Sequence, residues 1–304
     1  MTNKTQTKKC QIVTIIGEPN AGKSTLVNHL TGSKVSIVSR KVQTTRNAIK
    51  GITVIDKTQL VFIDTPGIFN AKHNLEKAIN NEALSQLESG DTALVMIDAS
   101  LNNFSKTEEV IEILKSSKQR IALVINKIDL LKNKNKLLQL AEKFYATKLF
   151  DEIFMISADT GEGVDELQQY LVETAPVSEF LYPEDQMSDM PLRFMAAELT
   201  REKLFEALHD ELPYHLFVET ESWVEEKNKI VINQVINVLK EGQKAIIIGK
   251  GAKMIKQIGT EVRHELQDML DSKVNLFLHV KVKKDWLDKP FVFQSLGLKF
   301  PIKN

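Results

Sequence analysis

The stretch Gly17-Glu18-Pro19-Asn20-Ala21-Gly22-Lys23-Ser24 (GEPNAGKS) decides the fold because of what flanks it. Before it runs QIVTII, an apolar, β-branched segment of strand length; after it come Thr25 and the helical spacing of Leu26, Val27 and Leu30. A glycine turn between a strand and a helix gathers backbone N–H groups at the helix N-terminus, and an anion belongs there. In that arrangement Gly17 and Gly22 allow the tight path. The Lys23 ammonium reaches the β- and γ-phosphates of a nucleotide, and the Ser24 hydroxyl takes one position on Mg²⁺.

Outward from this loop, short apolar strands alternate with helix-length segments as far as Ala175: QIVTII, LVFID, TALVMIDAS, RIALVINK and EIFMISA. Such alternation implies βαβ units and a mainly parallel sheet with helices on both faces, its ligand loops at the carboxyl ends of the strands. The next motifs fall at those ends. Asp64-Thr65-Pro66-Gly67 follows LVFI: Asp64 would hold Mg²⁺ through water and the Gly67 N–H would sense the γ-phosphate. Thr45, in KVQTTRNAIKGI, is the natural second protein ligand for Mg²⁺. The two segments are expected to be ordered by the γ-phosphate and released when it leaves.

Asn126-Lys127-Ile128-Asp129 follows RIALVI and addresses the base. An Asp129 carboxylate accepts hydrogen bonds from the ring N–H and the exocyclic amine of guanine, whereas adenine offers an acceptor at that ring position. Asn126 would brace the loop and the Lys127 stem lie over the base. Ser157 and Ala158, after EIFMI, would supply backbone N–H groups to the guanine carbonyl. The nucleotide-contacting set is therefore residues 17–25, 64–68, 126, 127, 129, 157 and 158, with Lys23, Thr45 and Gly67 closest to the chemistry.

A polar stretch with three prolines, Pro176 to Pro191, reads as a linker between a first domain (11–175) and a second (192–304), with residues 1–10 as a flexible start. The second half follows the order α-β-β-α-α-β. Within it IIIGKGAKMIKQIG joins an apolar stretch, a glycine loop and an amphipathic helix, the form in which nucleic-acid backbone approaches a KH module. Gly249, Lys250, Gly251, Ala252, Lys253 and Lys256 are the candidate RNA contacts. A GxxG loop would carry glycine where Ala252 stands. That substitution is harmless if residue 252 already begins the helix and costly if the backbone there is left-handed.

Together and in order, GEPNAGKS, QTTR, DTPGI, NKID, EDQMSDMP, RFMAAELTREKLF, ELPY, IIIGKG and KVKKDW resemble the Era family of GTPases over nearly the whole chain. The resemblance implies a GTPase domain and a C-terminal, α+β, type II KH domain. It also implies GTP/GDP and Mg²⁺ as ligands, with the 3′ region of 16S ribosomal RNA and the precursor of the 30S subunit as partners. Ile68 stands where many small GTPases place a water-orienting Gln, so slow intrinsic turnover is expected. In related GTPases an Asn at the position of Asn20 helps hold K⁺, which makes potassium activation a further expectation. Arg46 is expected to face phosphate or solvent in a mobile loop.

The 304 residues suffice for two domains, and 42% apolar with 26% charged content is that of an ordinary globular protein. No apolar run is long enough to span a membrane and none near the start forms a signal core, so a cytoplasmic protein is expected; a monomer is expected as well, and the family resemblance implies peripheral association with the inner face of the cell membrane. Cys10 alone forms no internal disulfide and reads as an incidental residue near the start. The net charge of zero hides a division. Lys plus Arg against Asp plus Glu is 22 to 20 for residues 1–175, 5 to 13 for 176–229 and 13 to 7 for 230–304. A basic last quarter favours a polyanionic partner. The competing reading is a signalling switch whose second domain binds protein; it predicts no salt-dependent RNA affinity.

Overall fold

The computed structural model describes residues 7–39, 41, 44–68, 71, 73–133, 135–209, 212–284 and 286–300. The expected flexible start at residues 1–6, Gln43 of QTTR and Asp285 of KVKKDW lie outside them. The chain divides into two compact units. The first is Met1–Asp189 together with Leu296–Asn304, and the second is Met190–Ser295. The stretch from Leu296, assigned by sequence to the second domain, thus groups with the first.

The first unit runs β1 (Lys9–Gly17), α1 (Lys23–Thr31), β2 (Ile49–Ile55), β3 (Thr58–Asp64), α2 (Asn74–Ser85), β4 (Thr92–Asp98), α3 (Ser105–Leu114), β5 (Arg120–Asn126), α4 (Asn135–Tyr145), β6 (Glu152–Met155) and α5 (Val164–Thr174). Its sheet has the order β2-β3-β1-β4-β5-β6, parallel except where β2 pairs with β3. β3 and β4 are buried at every position, as near-continuous apolar strands covered on both faces must be. On one face Leu26, Val27 and Leu30 of α1 pack with Val164, Leu167 and Leu171 of α5. On the other, Val110, Ile111 and Leu114 of α3 pack with Leu137, Leu140 and Phe144 of α4.

Three sequence expectations change here. First, Lys9 and Cys10 belong to β1, and Cys10 is buried against Ile52 and Val61; burial pushes its thiol pKa up. A small apolar side chain on a central strand is drawn into the core, whatever its distance from the terminus. Second, the tail of the segment read as a loop, IKGI, lies in β2, an antiparallel edge strand that the parallel pattern did not announce. Third, the proline-rich stretch is a strap held along the first unit. The Cys10 N–H donates to the Pro176 carbonyl at 3.1 Å and the Ser178 N–H to the Lys8 carbonyl at 3.2 Å. The wholly buried Gln59 amide accepts from the N–H groups of Leu181 and Tyr182 at 2.8 and 3.1 Å and donates to the Tyr182 carbonyl at 2.9 Å. Farther along, the Ile52 N–H donates to the Met187 carbonyl at 2.8 Å, the Ser188 hydroxyl to the Lys50 carbonyl at 2.8 Å, and Lys50 pairs with Asp189 at 3.1 Å. The edge strand's free backbone groups need partners, and the strap supplies several of them.

The second unit runs α6 (Leu192–Ala207), β7 (Leu216–Glu226), β8 (Lys229–Val238), α7 (Glu241–Ile248), α8 (Lys253–Leu270), β9 (Val274–Val282) and α9 (Pro290–Ser295). Its first six elements reproduce the expected α-β-β-α-α-β order. β8 joins β7 antiparallel and β9 parallel, and α8 buries Ile258, Val262 and Leu266, one turn apart along one stripe. Trp286 is fully buried and stacked on Phe217 at 5.7 Å, as a packing residue would be. Among the described residues no helix is long and apolar enough to cross a membrane.

Candidate functional site

β1 ends at Gly17 in the middle of the sheet, and the loop to α1 is shaped by glycines at two points of close approach. A Cβ at Gly17 would lie 2.2 Å from the Met96 carbonyl oxygen, and one at Gly22 would lie 2.2 Å from Asn126 Nδ2. Gly22 also has a φ of 98°, in the left-handed region, as it caps α1. The Lys23 ammonium is buried and folds back onto the loop, donating to the carbonyls of Gly17 (3.1 Å) and Glu18 (3.0 Å). Burial lowers its pKa to about 8, against the opposing pull of Asp64 and Glu18. Glu18 is anchored in turn by Thr107, whose N–H and hydroxyl reach its carboxylate at 3.4 and 3.2 Å. Asn20 has a φ of 63°, and Pro19 lies against Gly67, where a Cβ would meet the Pro19 backbone at 2.7 Å. Ala21, Thr65, Pro66 and Ile68 are buried around this floor, and the half-buried Thr25 lies just inside α1. The Thr65 hydroxyl donates to the Ile15 carbonyl at 2.7 Å and the Ile68 N–H to the Gly17 carbonyl at 3.4 Å.

Three residues far apart in sequence meet at one carboxylate. Asp64 is fully buried, and its Oδ2 accepts from the hydroxyls of Ser24 at 2.7 Å, Ser36 at 2.7 Å and Thr45 at 3.5 Å; Ser24 and Thr45 share a hydrogen bond at 3.0 Å. Desolvation raises the Asp64 pKa, and the hydroxyls and Lys23 oppose it. Its other oxygen, Oδ1, is buried with no hydrogen-bond partner. A buried carboxylate with one unmatched oxygen beside two hydroxyls fits Mg²⁺, a hard cation that takes few protein oxygens and completes its shell with water and phosphate. Among the described residues no group of three or more His, Cys, Asp or Glu offers an all-protein cage. Arg46 is only 4% exposed, which removes the solvent-facing one of its two expected settings.

The base-reading loop is tied to the same floor. The Asn126 amide donates to the Ala21 carbonyl at 2.7 Å and accepts from the Ala158 N–H at 2.9 Å, bracing the phosphate loop, the NKID loop and the Ser157-Ala158 turn together. Ser157 is buried and its hydroxyl accepts from the Thr160 N–H at 3.2 Å. Lys127 has a φ of 64° and opens a short 3₁₀ turn, Ile128–Leu130, that carries Asp129 exposed. The Lys127 ammonium pairs with Asp98 at 2.6 Å.

Asp98, Ser36 and Asn28 are the polar residues that sequence reasoning missed. Asp98 had a signal, a carboxylate at the carboxyl end of a strand, and β4 sets it level with Asn126 of β5. Burial alone would raise its pKa, but Lys127 and the Ser100 hydroxyl and N–H hold it below the usual value of 3.8. A carboxyl with a depressed folded-state pKa contributes stability that is present above its unfolded pKa and lost as pH falls through the folded value. Asp98→Asn is therefore expected to flatten the acid limb of the stability curve below about pH 4, read as the urea midpoint against pH; an unchanged limb would refute it.

In the second unit Gly249 has a φ of 71° and Gly251 a φ of 61°. Ala252 follows at φ 59° and ψ 24°, the left-handed N-cap of α8, so the costly alternative applies. Replacing it by glycine is expected to raise stability by about 1 kcal/mol, checked by urea unfolding of the wild type and Ala252→Gly; an unchanged or lower midpoint would count against the strain. Lys250, Lys253 and Lys256 are exposed around this loop. Ile247 and Ile258 are core, Ile248 and Ile255 are half-buried, and Ile246 is 54% exposed.

Residues 12–127 match the family described as "50S ribosome-binding GTPase", and residues 211–287 match the KH domain. The chain is 47% identical over 294 residues to GTPase Era of Bradyrhizobium diazoefficiens, covering 96% of this chain and 95% of that protein. It is 43% identical over 317 residues to GTPase Era of Caulobacter vibrioides, covering 99% and 100%. Among solved structures, Era in complex with MgGDPNP and nucleotides 1506–1542 of 16S ribosomal RNA superposes with a TM-score of 0.91 at 37% identity, covering 95% of this chain and 99% of that one. A variant of Aquifex aeolicus Era bound to GDP·AlF₄⁻ gives the same TM-score and identity over the same shares. At these identities over nearly the full length of both chains, the chain belongs to the Era family of GTPases.

Proposed function

We propose that this protein binds and hydrolyses GTP in its first domain and binds 16S ribosomal RNA near the 3′ end through its KH domain, assisting assembly of the 30S subunit. The observation that carries the reading is its near full-length likeness to an Era solved with both a GTP analogue and that RNA. In this reading the phosphates lie at the mouth of α1 under Lys23, whose ammonium leaves the Gly17 and Glu18 carbonyls for the β- and γ-oxygens. Residues 17–25 and 64–68 line the phosphate side and Asn126, Lys127, Asp129, Ser157 and Ala158 the guanine side. Ser24, Thr45 and Asp64 would hold Mg²⁺, which when bound neutralises charge between the terminal phosphates. The Gly67 N–H stands at the γ-phosphate. Ile68 has no side-chain group to orient water and is buried, so intrinsic turnover is slow.

We extend the reading to activation by K⁺, on the ground that an Asn at this position of the phosphate loop helps hold that ion in related GTPases; Asn20 stands within the loop with a φ of 63°. Turnover is expected to be at least about tenfold faster in KCl than in NaCl at equal ionic strength, on the scale of a moderate electrostatic contribution; equal rates would remove the requirement. Gly249, Lys250, Gly251, Ala252, Lys253 and Lys256 form the RNA side. The working partner is the 30S precursor and the place of action the cytoplasm, with the protein monomeric and any membrane contact peripheral.

The whole reading is tested by titrating a fluorescent 16S 3′-end oligonucleotide with the protein loaded with a GTP analogue or with GDP, at several salt concentrations. Salt-dependent, nucleotide-sensitive binding is expected. Binding of a protein ligand with no RNA affinity would favour the signalling switch.

A further inference from the structure

The loop that joins α1 to β2 contains a second layer of side chains behind the Asp64 carboxylate. Asn28 lies one turn after Ser24 on α1 and therefore projects from the same face of the helix. Its Oδ1 accepts from the N–H groups of Val35 and Ser36, both at 2.9 Å, while its Nδ2 donates to the Ser36 carbonyl at 2.7 Å. Three hydrogen bonds from one amide fix the backbone of Ser36, which is fully buried. The Ser36 hydroxyl then donates to Asp64 Oδ2 at 2.7 Å, the oxygen that also accepts from Ser24 at 2.7 Å. One oxygen of the carboxylate is thus filled by hydroxyls and the other, Oδ1, is buried and unmatched.

We propose that Ser36, held by Asn28, is a positioning residue for the divalent-cation site. It fixes the rotation of the Asp64 carboxylate so that Oδ1 is the oxygen left for the cation and its water. This rests on the reading above that Ser24, Thr45 and Asp64 hold Mg²⁺. The role assigned to Ser36 is exerted through Asp64, to which its hydroxyl donates, and its place in the loop is set by Asn28. The consequence follows from how outer partners act on metal sites. A ligating carboxylate that loses a fixed hydrogen bond regains rotational freedom and a cost of burial, and removal of such a partner typically weakens metal affinity about 10- to 100-fold. Asn28 acts one step farther out, through the backbone of residues 35 and 36, so its removal should give a smaller loss in the same direction.

The experiment is a Mn²⁺ titration of the GDP-loaded protein by electron paramagnetic resonance, with the rate of fluorescent GDP release measured against Mg²⁺ concentration. Ser36→Ala is expected to weaken Mn²⁺ binding about tenfold or more and to shift the Mg²⁺ dependence of GDP release to higher concentration by a similar factor. Ser36→Thr, which keeps the hydroxyl, is expected to retain most of the affinity, and Asn28→Ala to lose part of it. A purely structural role would lower the melting temperature of Ser36→Ala while leaving Mn²⁺ affinity at the wild-type value; that result overturns the proposal. So does a folded Asn28→Ala protein with unchanged affinity, which keeps the test decisive if Ser36→Ala fails to fold. Should the wild type bind no Mn²⁺ beside GDP, the cation-site reading itself fails, an outcome distinct from a wild type that binds and a Ser36→Ala protein that binds equally well.

Discussion

Asp129→Asn is expected to lower affinity for GTP by about 10⁴-fold while raising affinity for xanthosine triphosphate above that for GTP. In the proposed base site the Asp129 carboxylate accepts from both the ring N–H and the exocyclic amine of guanine. A site built to pair such groups rejects a mismatched partner by about 10⁴ to 10⁵, because a buried polar atom is left unpaired. An amide at the same position offers one donor and one acceptor, which suits xanthine, whose second carbonyl replaces the amine. The loop is already in place for this: Lys127 in the left-handed region starts the short turn that exposes Asp129, and Asn126 ties that turn to the phosphate loop through Ala21 and to Ala158. Competition of GTP, xanthosine triphosphate and ATP against a fluorescent guanine nucleotide checks it. GTP affinity within threefold of the wild type would remove Asp129 from the base site.

Gly17→Ala is expected to be the most damaging single methyl group in the first unit. The added Cβ would stand 2.2 Å from the Met96 carbonyl oxygen; the Cβ is fixed rigidly to the backbone of β1 and the oxygen belongs to the backbone of the adjacent central strand β4. Neither can rotate away, so the strands must part or the loop must shift. Overpacking of this kind costs about 3 kcal/mol or more when no side chain can yield. For a domain of this size that is about 6 to 12 °C in melting temperature. The Lys23 ammonium hangs from the carbonyls of Gly17 and Glu18, at the residue that must shift and the one after it, so nucleotide affinity should fall with stability. Thermal unfolding with and without GDP reads both; a melting temperature within 2 °C of the wild type would show that the two strands have more room than their register allows.

The sequence made the phosphate and base loops legible because each is a local device: glycines, a lysine and a hydroxyl at fixed spacing, placed after a strand. It also announced the buried strands, since β3, β4 and β5 are short apolar runs with no competing pattern. What stayed hidden depends on partners distant in the chain. β2 alternates only weakly and follows a motif whose chemistry invites a loop, so its pairing with β3 had no local signature. Ser36 and Asn28 are ordinary polar residues until the fold brings one to Asp64 and the other to the backbone of its neighbour. A solvent-facing Arg46 was a natural expectation because arginine is mostly exposed, and tertiary packing buried it. Ala252 was the opposite case: the sequence named the position and both outcomes, and only its φ chose between them.

The strap has a consequence for how the first sheet behaves toward other molecules. Its sixteen residues, 176 to 191, would reach roughly 55 Å if they hung loose, at about 3.3 to 3.6 Å per residue. Instead their bonds along β1, β2 and β3 run as far as Asp189, so β2 does not present a bare row of N–H and C=O groups. Loosening the Lys50 and Ile52 anchors would uncover that row and leave it as a template on which a strand of a second molecule could add, without breaking a single covalent bond.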